Sequence, residues 1–200
     1  MRTIGALIFP DFELLDLYGP LEMFSMFPDE FEQRIVAQYS PDVPSSAGPR
    51  TAVDDQIVEQ DDYDILLVPG GRGTRKDIEN EVLIDWLRRA AAKAEIVASV
   101  CTGSALLARA GILDGKAATT NKLAFDWVAS HGPNTDWRRR ARWVEDGAVF
   151  TASGVSAGTD MSLALIERLL GAKKAAQAAT WAEYERNSDP DNDPFAAEPK

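Results

Sequence analysis

The chain has one cysteine, Cys101, and one histidine, His131, among 200 residues. A lone cysteine excludes an intrachain disulfide and a cysteine-rich zinc site. A lone histidine means that any mechanism coupling thiol to imidazole must use this one pair. No apolar run approaches the roughly 20 residues of a membrane-crossing helix. The short apolar run near the N-terminus meets Pro10 and Asp11 where a secretory leader carries small residues, so the expected location is the cytoplasm. Positive charge is scarce as well: 21 Lys and Arg stand against 32 Asp and Glu, a net of −11. Nucleic-acid binding needs a basic face that displaces counterions, and this balance argues against it. The one basic cluster, Arg138-Arg139-Arg140 with Arg142, reads as a solvated loop or helix face. The carboxylates between Asp54 and Asp64 have no His or Cys among them and read as a solvated connection, not as metal ligands.

The rest is ordinary globular composition, 45% hydrophobic and 26% charged. One core and one domain over residues 1–186 are expected. Residues 187–200 contain Pro190, Pro194 and Pro199 among acids and read as an extended tail that is not helical.

Strand and helix patterns alternate. Residues 3–9 and 65–69 are continuous apolar runs, the mark of strands covered on both faces. Residues 31–37, 95–100 and 117–120 are further strand candidates. Residues 20–27 can form a helix with proline in its first turn. Residues 81–94 carry an amphipathic helix stripe, with Asn80 placed to cap it. A helix over 102–110 stops at Gly111, and a shorter one spans 123–130. Residues 142–145 and 148–151 flank Asp146-Gly147, a hairpin signal. Helices over 157–170 and 173–184 follow, with Asp160 expected to cap the first turn of the first, a hydrogen bond within a pocket being the alternative. The alternation implies an α/β sandwich with a mostly parallel sheet, whose sites form beyond the carboxyl ends of the strands.

Cys101 lies where a strand gives way to a helix, followed by Thr102-Gly103-Ser104. The layout is that of a nucleophile elbow without its full motif. A thiolate there meets unpaired backbone N–H groups and the positive end of the helix dipole, so the thiol pKa is expected to fall below the ordinary 8.5 or so. An inert buried cysteine fits the same local sequence. Val68-Pro69-Gly70-Gly71 places two glycines just after another strand, where free N–H groups suit an oxyanion, or where the chain merely turns. Asp16 is a lone carboxylate among apolar residues. Desolvation would raise its pKa and suit it to proton transfer; a capping or turn role is the alternative.

Taken in order, Phe9-Pro10, Leu15-Asp16-Leu17-Tyr18-Gly19-Pro20, Val68-Pro69-Gly70-Gly71, Ser99-Val100-Cys101-Thr102-Gly103-Ser104, Ala118-Thr119-Thr120 and Ser153-Gly154-Val155-Ser156-Ala157-Gly158-Thr159-Asp160 resemble the ThiJ/PfpI superfamily. They are most similar to its isocyanide hydratase branch and to the amidase-like domain of some AraC-type regulators. The resemblance implies a flavodoxin-like three-layer sandwich, a homodimer, and a small-molecule substrate handled without a cofactor. It implies Cys101 as nucleophile, Asp16 as its carboxylate partner, Gly71 and Thr102 as oxyanion donors, and Asn121, Gly154 and Val155 as pocket lining. Many relatives carry a histidine directly after the Thr-Thr pair; here that residue is Asn121. His131 comes later, at an expected helix end, and reads as a surface or capping residue. The implied reaction is hydration of an isocyanide to an N-substituted formamide. The alternatives are a glyoxalase-like or deglycase-like enzyme on 2-oxoaldehydes, and a redox or ligand sensor without turnover.

Overall fold

The computed structural model describes residues 1–39 and 41–196. The chain runs β1 (Arg2–Ile8), α1 (Leu14–Ser25), β2 (Phe31–Ala37), β3 (Asp42–Pro44), β4 (Arg50–Ala52), β5 (Asp55–Gln56) and β6 (Ile65–Val68). It continues through α2 (Thr74–Asp77), α3 (Glu81–Lys93), β7 (Ile96–Val100), α4 (Gly103–Arg109), β8 (Ala117–Ala118) and α5 (Phe125–Ala129). Last come β9 (Asp136–Trp137), β10 (Trp143–Asp146), β11 (Val149–Ala152), α6 (Ala157–Leu170) and α7 (Ala172–Trp181).

The main sheet has the order β10-β11-β7-β6-β1-β2-β5. Its pairs are parallel except β10 with β11. The apolar runs explain the centre: β6 and β7 are buried throughout and β1 from Ile4 onward. Helices α1, α6 and α7 pack together on one face, and α2 to α5 gather around α4 on the other. This is the three-layer flavodoxin-like α/β sandwich. From β1 the chain moves outward to β2 on one side, and from β6 to β7 on the other. A crevice therefore opens beyond the carboxyl ends of β1 and β6.

Most expected elements appear within a residue or two. Asn80 caps α3 through Leu83 N–H, and Gly111 closes α4 at φ 76°. The β10–β11 turn is Gly147-Ala148, one residue on from the expected pair, with Gly147 at φ 63°. At four places the structure differs from what the sequence predicts. Helix α1 begins at Leu14 and carries Pro20 in its interior. An internal proline costs a helix about 3 kcal/mol, but Gly19 and Pro20 lie where α1 crosses α6. A Cβ on Gly19 would come within 2.8 Å of Thr159 Oγ1, and one on Gly158 within 3.3 Å of Pro20 Cγ. Burial along that close crossing outweighs the lost hydrogen bond. The second correction concerns residues 117–120: only Ala117–Ala118 are strand, and they pair with β9 in a small separate sheet.

Third, Arg142 is not solvated and Asp160 is not a helix cap. Both are buried, and Asp160 Oδ2 lies 2.6 Å from Arg142 Nη2. The second oxygen of Asp160 accepts the Tyr184 hydroxyl at 3.1 Å and Asn187 N–H at 2.9 Å. Fourth, the carboxylates of 54–64 are partly structural. Asp55 pairs with Arg34 at 2.6 Å, Asp61 with Lys93 at 2.6 Å, and Asp64 accepts Thr3 N–H at 2.7 Å.

Composition did not convey how residues 187–196 sit. They form no helix or strand, yet they are docked. Pro190 accepts Arg142 N–H at 2.7 Å, and Asp193 N–H donates to the Arg140 carbonyl at 2.8 Å. The Asp193 side chain is buried between Lys122 Nζ at 3.9 Å and Arg142 Nη1 at 3.8 Å. The end of the expected tail, 197–200, lies outside the described residues.

Candidate active site

Four chain segments leave the sheet at the same edge and meet: the start of α1 after β1, Gly70-Gly71 after β6, Cys101-Thr102 after β7, and residues 153–155 after β11. Cys101 occupies the turn between β7 and α4 at φ 57°, a left-handed conformation that is strained for a residue with a Cβ. The surroundings hold it there. Its N–H donates to the carbonyls of Ala152 and Ser153 at 3.1 and 2.9 Å. Its carbonyl accepts the hydroxyls of Ser104 and Thr120 at 3.0 and 2.8 Å. Val155 is also left-handed, at φ 43°. This strain lies where the backbone amides of Thr102 and Val155 face the Cys101 sulfur.

Asp16 sits in the first turn of α1, fully buried. Its Oδ2 accepts Gly70 N–H at 3.0 Å. Its Oδ1 has no hydrogen-bond partner. The carboxyl and the Cys101 thiol are close enough to shift one another's titration. Glycine is required between them: a Cβ on Gly70 would lie 2.5 Å from Thr102 N and 2.9 Å from Asp16 Oδ2.

Burial, with Glu13 nearby as a lesser cause, pushes the Asp16 pKa up to about 7. The thiol differs from the sequence expectation. Burial first, and the Asp16 charge second, push Cys101 up to about 12. The amides of Thr102 and Val155 pull the other way and lose, because a buried sulfur gives up more hydration than two N–H groups return. Protonation of Asp16 removes its opposing charge, so the pair holds its first negative charge as a unit.

Gly71 N–H is already engaged: it donates to Thr102 Oγ1 at 3.1 Å, in a network that includes Thr74. It becomes free for an oxyanion only when that hydroxyl turns away. Asn121 Oδ1 accepts Leu123 and Ala124 N–H at 3.0 and 3.1 Å, an Asx turn just ahead of α5. Its Nδ2 stands 2.4 Å from where a Cβ on Gly154 would be, so Gly154 makes room for it. His131 packs edge-on against Trp127 at 4.9 Å, at the end of α5, and is not among the residues lining the Cys101 cavity.

That cavity has a volume of about 250 Å³. Gly71, Cys101, Thr102, Asn121 and Val155 line it, together with Glu13, Arg72, Arg75, Leu123 and Ala124. Sequence reasoning missed these last five. The signal available was position: Arg72 directly follows the Gly70-Gly71 strand end, Glu13 comes three residues after Pro10, and Leu123 two after Asn121. Among the described residues no group of three or more His, Cys, Asp or Glu is disposed to hold a metal ion, and no helix is long and apolar enough to cross a membrane.

The chain is similar to known proteins in sequence and in fold. The chain is 38% identical over 187 residues to the isonitrile hydratase of Pseudomonas putida, covering 90% of this chain and 78% of that one. It is 27% identical over 190 residues to the HTH-type transcriptional regulator GbdR of Pseudomonas aeruginosa, covering 92% of this chain but 51% of the regulator. Among solved structures, a ThiJ/PfpI family protein from Pseudomonas syringae superimposes with a TM-score of 0.85 at 30% identity, over 97% of this chain and 77% of that one. Residues 2–168 match the DJ-1/PfpI family, a span that encloses Asp16, Gly71, Cys101 and Val155, and the chain belongs to that family.

Proposed function

We propose that this protein hydrates isocyanides to N-substituted formamides. The observation that carries the reading is a strained, amide-faced Cys101 thiol coupled to a buried carboxyl whose pKa lies near 7. The similarity to an isonitrile hydratase supports it. Asp16 titrates where a general acid and base works best at neutral pH.

The thiolate attacks the terminal carbon of R–N≡C and forms the C–S bond, while a proton passes through Asp16 to that carbon. The product is a thioimidate, R–N=CH–S–Cys101. Water adds to the same carbon, leaving its hydroxyl there and a proton on nitrogen. Asp16 accepts the hydroxyl proton as the C–S bond breaks. R–NH–CHO leaves, and the thiolate is regenerated. The Thr102 amide, and that of Gly71 once Thr102 Oγ1 rotates away, steady the charge that develops. No step requires a histidine or a cofactor.

A sensor that works by oxidation has less support. Oxidation of the thiol needs no proton shuttle, so it leaves the buried Asp16 carboxyl beside Cys101 without a role. The test is direct. Purified protein is given a small isocyanide, and formamide is followed with methylglyoxal as the competing substrate and Cys101→Ala as control. Formamide from the wild type alone supports the proposal. Turnover of methylglyoxal without formamide replaces it with the glyoxalase reading. The homodimer implied by the resemblance is checked by light scattering.

A further inference from the structure

A second compartment of about 370 Å³ adjoins the Cys101 cavity. The two share Asn121, Leu123 and Val155 as a common wall. The far wall comes from the segment after the last helix, through Asp193 and Phe195. Leu123 is 99% exposed and Phe195 74% exposed, so both present apolar surface left open by the described residues. The wall is nevertheless anchored. The buried Asp193 carboxylate faces Lys122 and Arg142, its Oδ1 accepts Phe195 N–H at 3.0 Å, and its carbonyl accepts Ala196 N–H at 2.9 Å.

An isocyanide is linear at nitrogen, so its substituent points away from the sulfur that attacks the terminal carbon. Two directions are open. One leads past Glu13, Arg72 and Arg75, where an apolar group would strip water from charges. The other leads past Leu123 and Val155 to Phe195, where it would cover exposed carbon and where the lining charges, Lys122 and Asp193, are already buried facing each other. We propose that the substituent on the isocyanide nitrogen occupies this second compartment, and that Leu123 and Phe195 select apolar substituents larger than methyl. Asp193 acts as a positioning residue that holds Phe195 in the wall. The inference rests on the hydratase reading for its substrate, though not for its geometry.

The test compares benzyl isocyanide with methyl isocyanide in the wild type and in Phe195→Ala and Leu123→Ala. The expected result is a kcat/KM ratio, benzyl over methyl, about tenfold lower in each variant, equivalent to about 1.4 kcal/mol. Equal losses on both substrates, or no change in the ratio, overturn the proposal. A second readout does not depend on turnover: the rate at which N-benzyl and N-methyl iodoacetamide alkylate Cys101, followed by mass spectrometry. If the wild type makes no formamide, the hydratase reading fails. The compartment then stands or falls on whether Phe195→Ala lowers the benzyl preference in alkylation. Circular dichroism confirms that each variant is folded.

Discussion

Asp16 raises the pKa of the Cys101 thiol, while the thiol in return lowers that of the carboxyl. The two residues are far apart in sequence and meet because α1 and the β7–α4 turn leave the sheet at the same edge. Their energetics are opposed: the carboxylate that makes the nucleophile harder to ionise is also the group able to carry its proton.

Asp16→Asn separates these roles. The amide keeps the size and an oxygen for Gly70 N–H but has no titratable proton. Turnover of isocyanide falls by about 10²–10⁴-fold, the range for general acid–base catalysis. Alkylation of Cys101 at pH 8 becomes faster, because the charge that opposed ionisation is gone. Turnover close to that of the wild type would show that the proton comes from elsewhere.

The same substitution changes stability in a pH-dependent way. Asp16 has a folded pKa of about 7 against an ordinary 3.8. A raised folded pKa favours the folded state below pH 4, and that contribution is lost as pH rises through 7. Above pH 7 the buried carboxylate costs up to about 4 kcal/mol. Asp16→Asn therefore raises the melting temperature at pH 8 and changes it little at pH 4. Equal shifts at both pH values would mean that Asp16 is not forced to ionise in a dry site.

Gly70→Ala tests the closeness of the two loops. The added methyl would meet Thr102 N and Asp16 Oδ2, where neither backbone nor buried carboxyl can yield cheaply. A loss of 1–3 kcal/mol, the usual cost of overpacking, is expected in urea denaturation, along with most of the turnover. Gly115→Ala, with nothing within 4 Å of its Cβ position, is the comparison. It bears only the cost of its positive φ and keeps its activity.

Asp160→Ala leaves the Arg142 guanidinium buried without its nearest carboxylate. Such a loss destabilises by about 3–5 kcal/mol. Arg142 also holds Pro190 and faces Asp193, so residues 187–196 become sensitive to protease before the rest of the chain unfolds. Limited proteolysis read by mass spectrometry detects this, and an unchanged cleavage pattern would refute the coupling.

Local chemistry made much of the architecture readable. Apolar runs as long as one strand, glycines at helix ends and the stripe on 81–94 each report a period or a φ that neighbours in sequence impose. Cys101, Asp16 and Gly71 stood out for the same reason, each at a junction of patterns. The strand at 117–120 and the start of α1 were less legible, since short strands depend on partners and the proline penalty was offset by packing on α6. Burial lies beyond local pattern altogether. Arg142 looked like surface because its neighbours are arginines, yet Asp160 and Asp193 come from distant segments to neutralise it. The thiol was expected to ionise easily from its place at a helix start. Its pKa goes the other way because desolvation is set by everything that covers the sulfur, and the sheet edge brings that cover together from four separate stretches of chain.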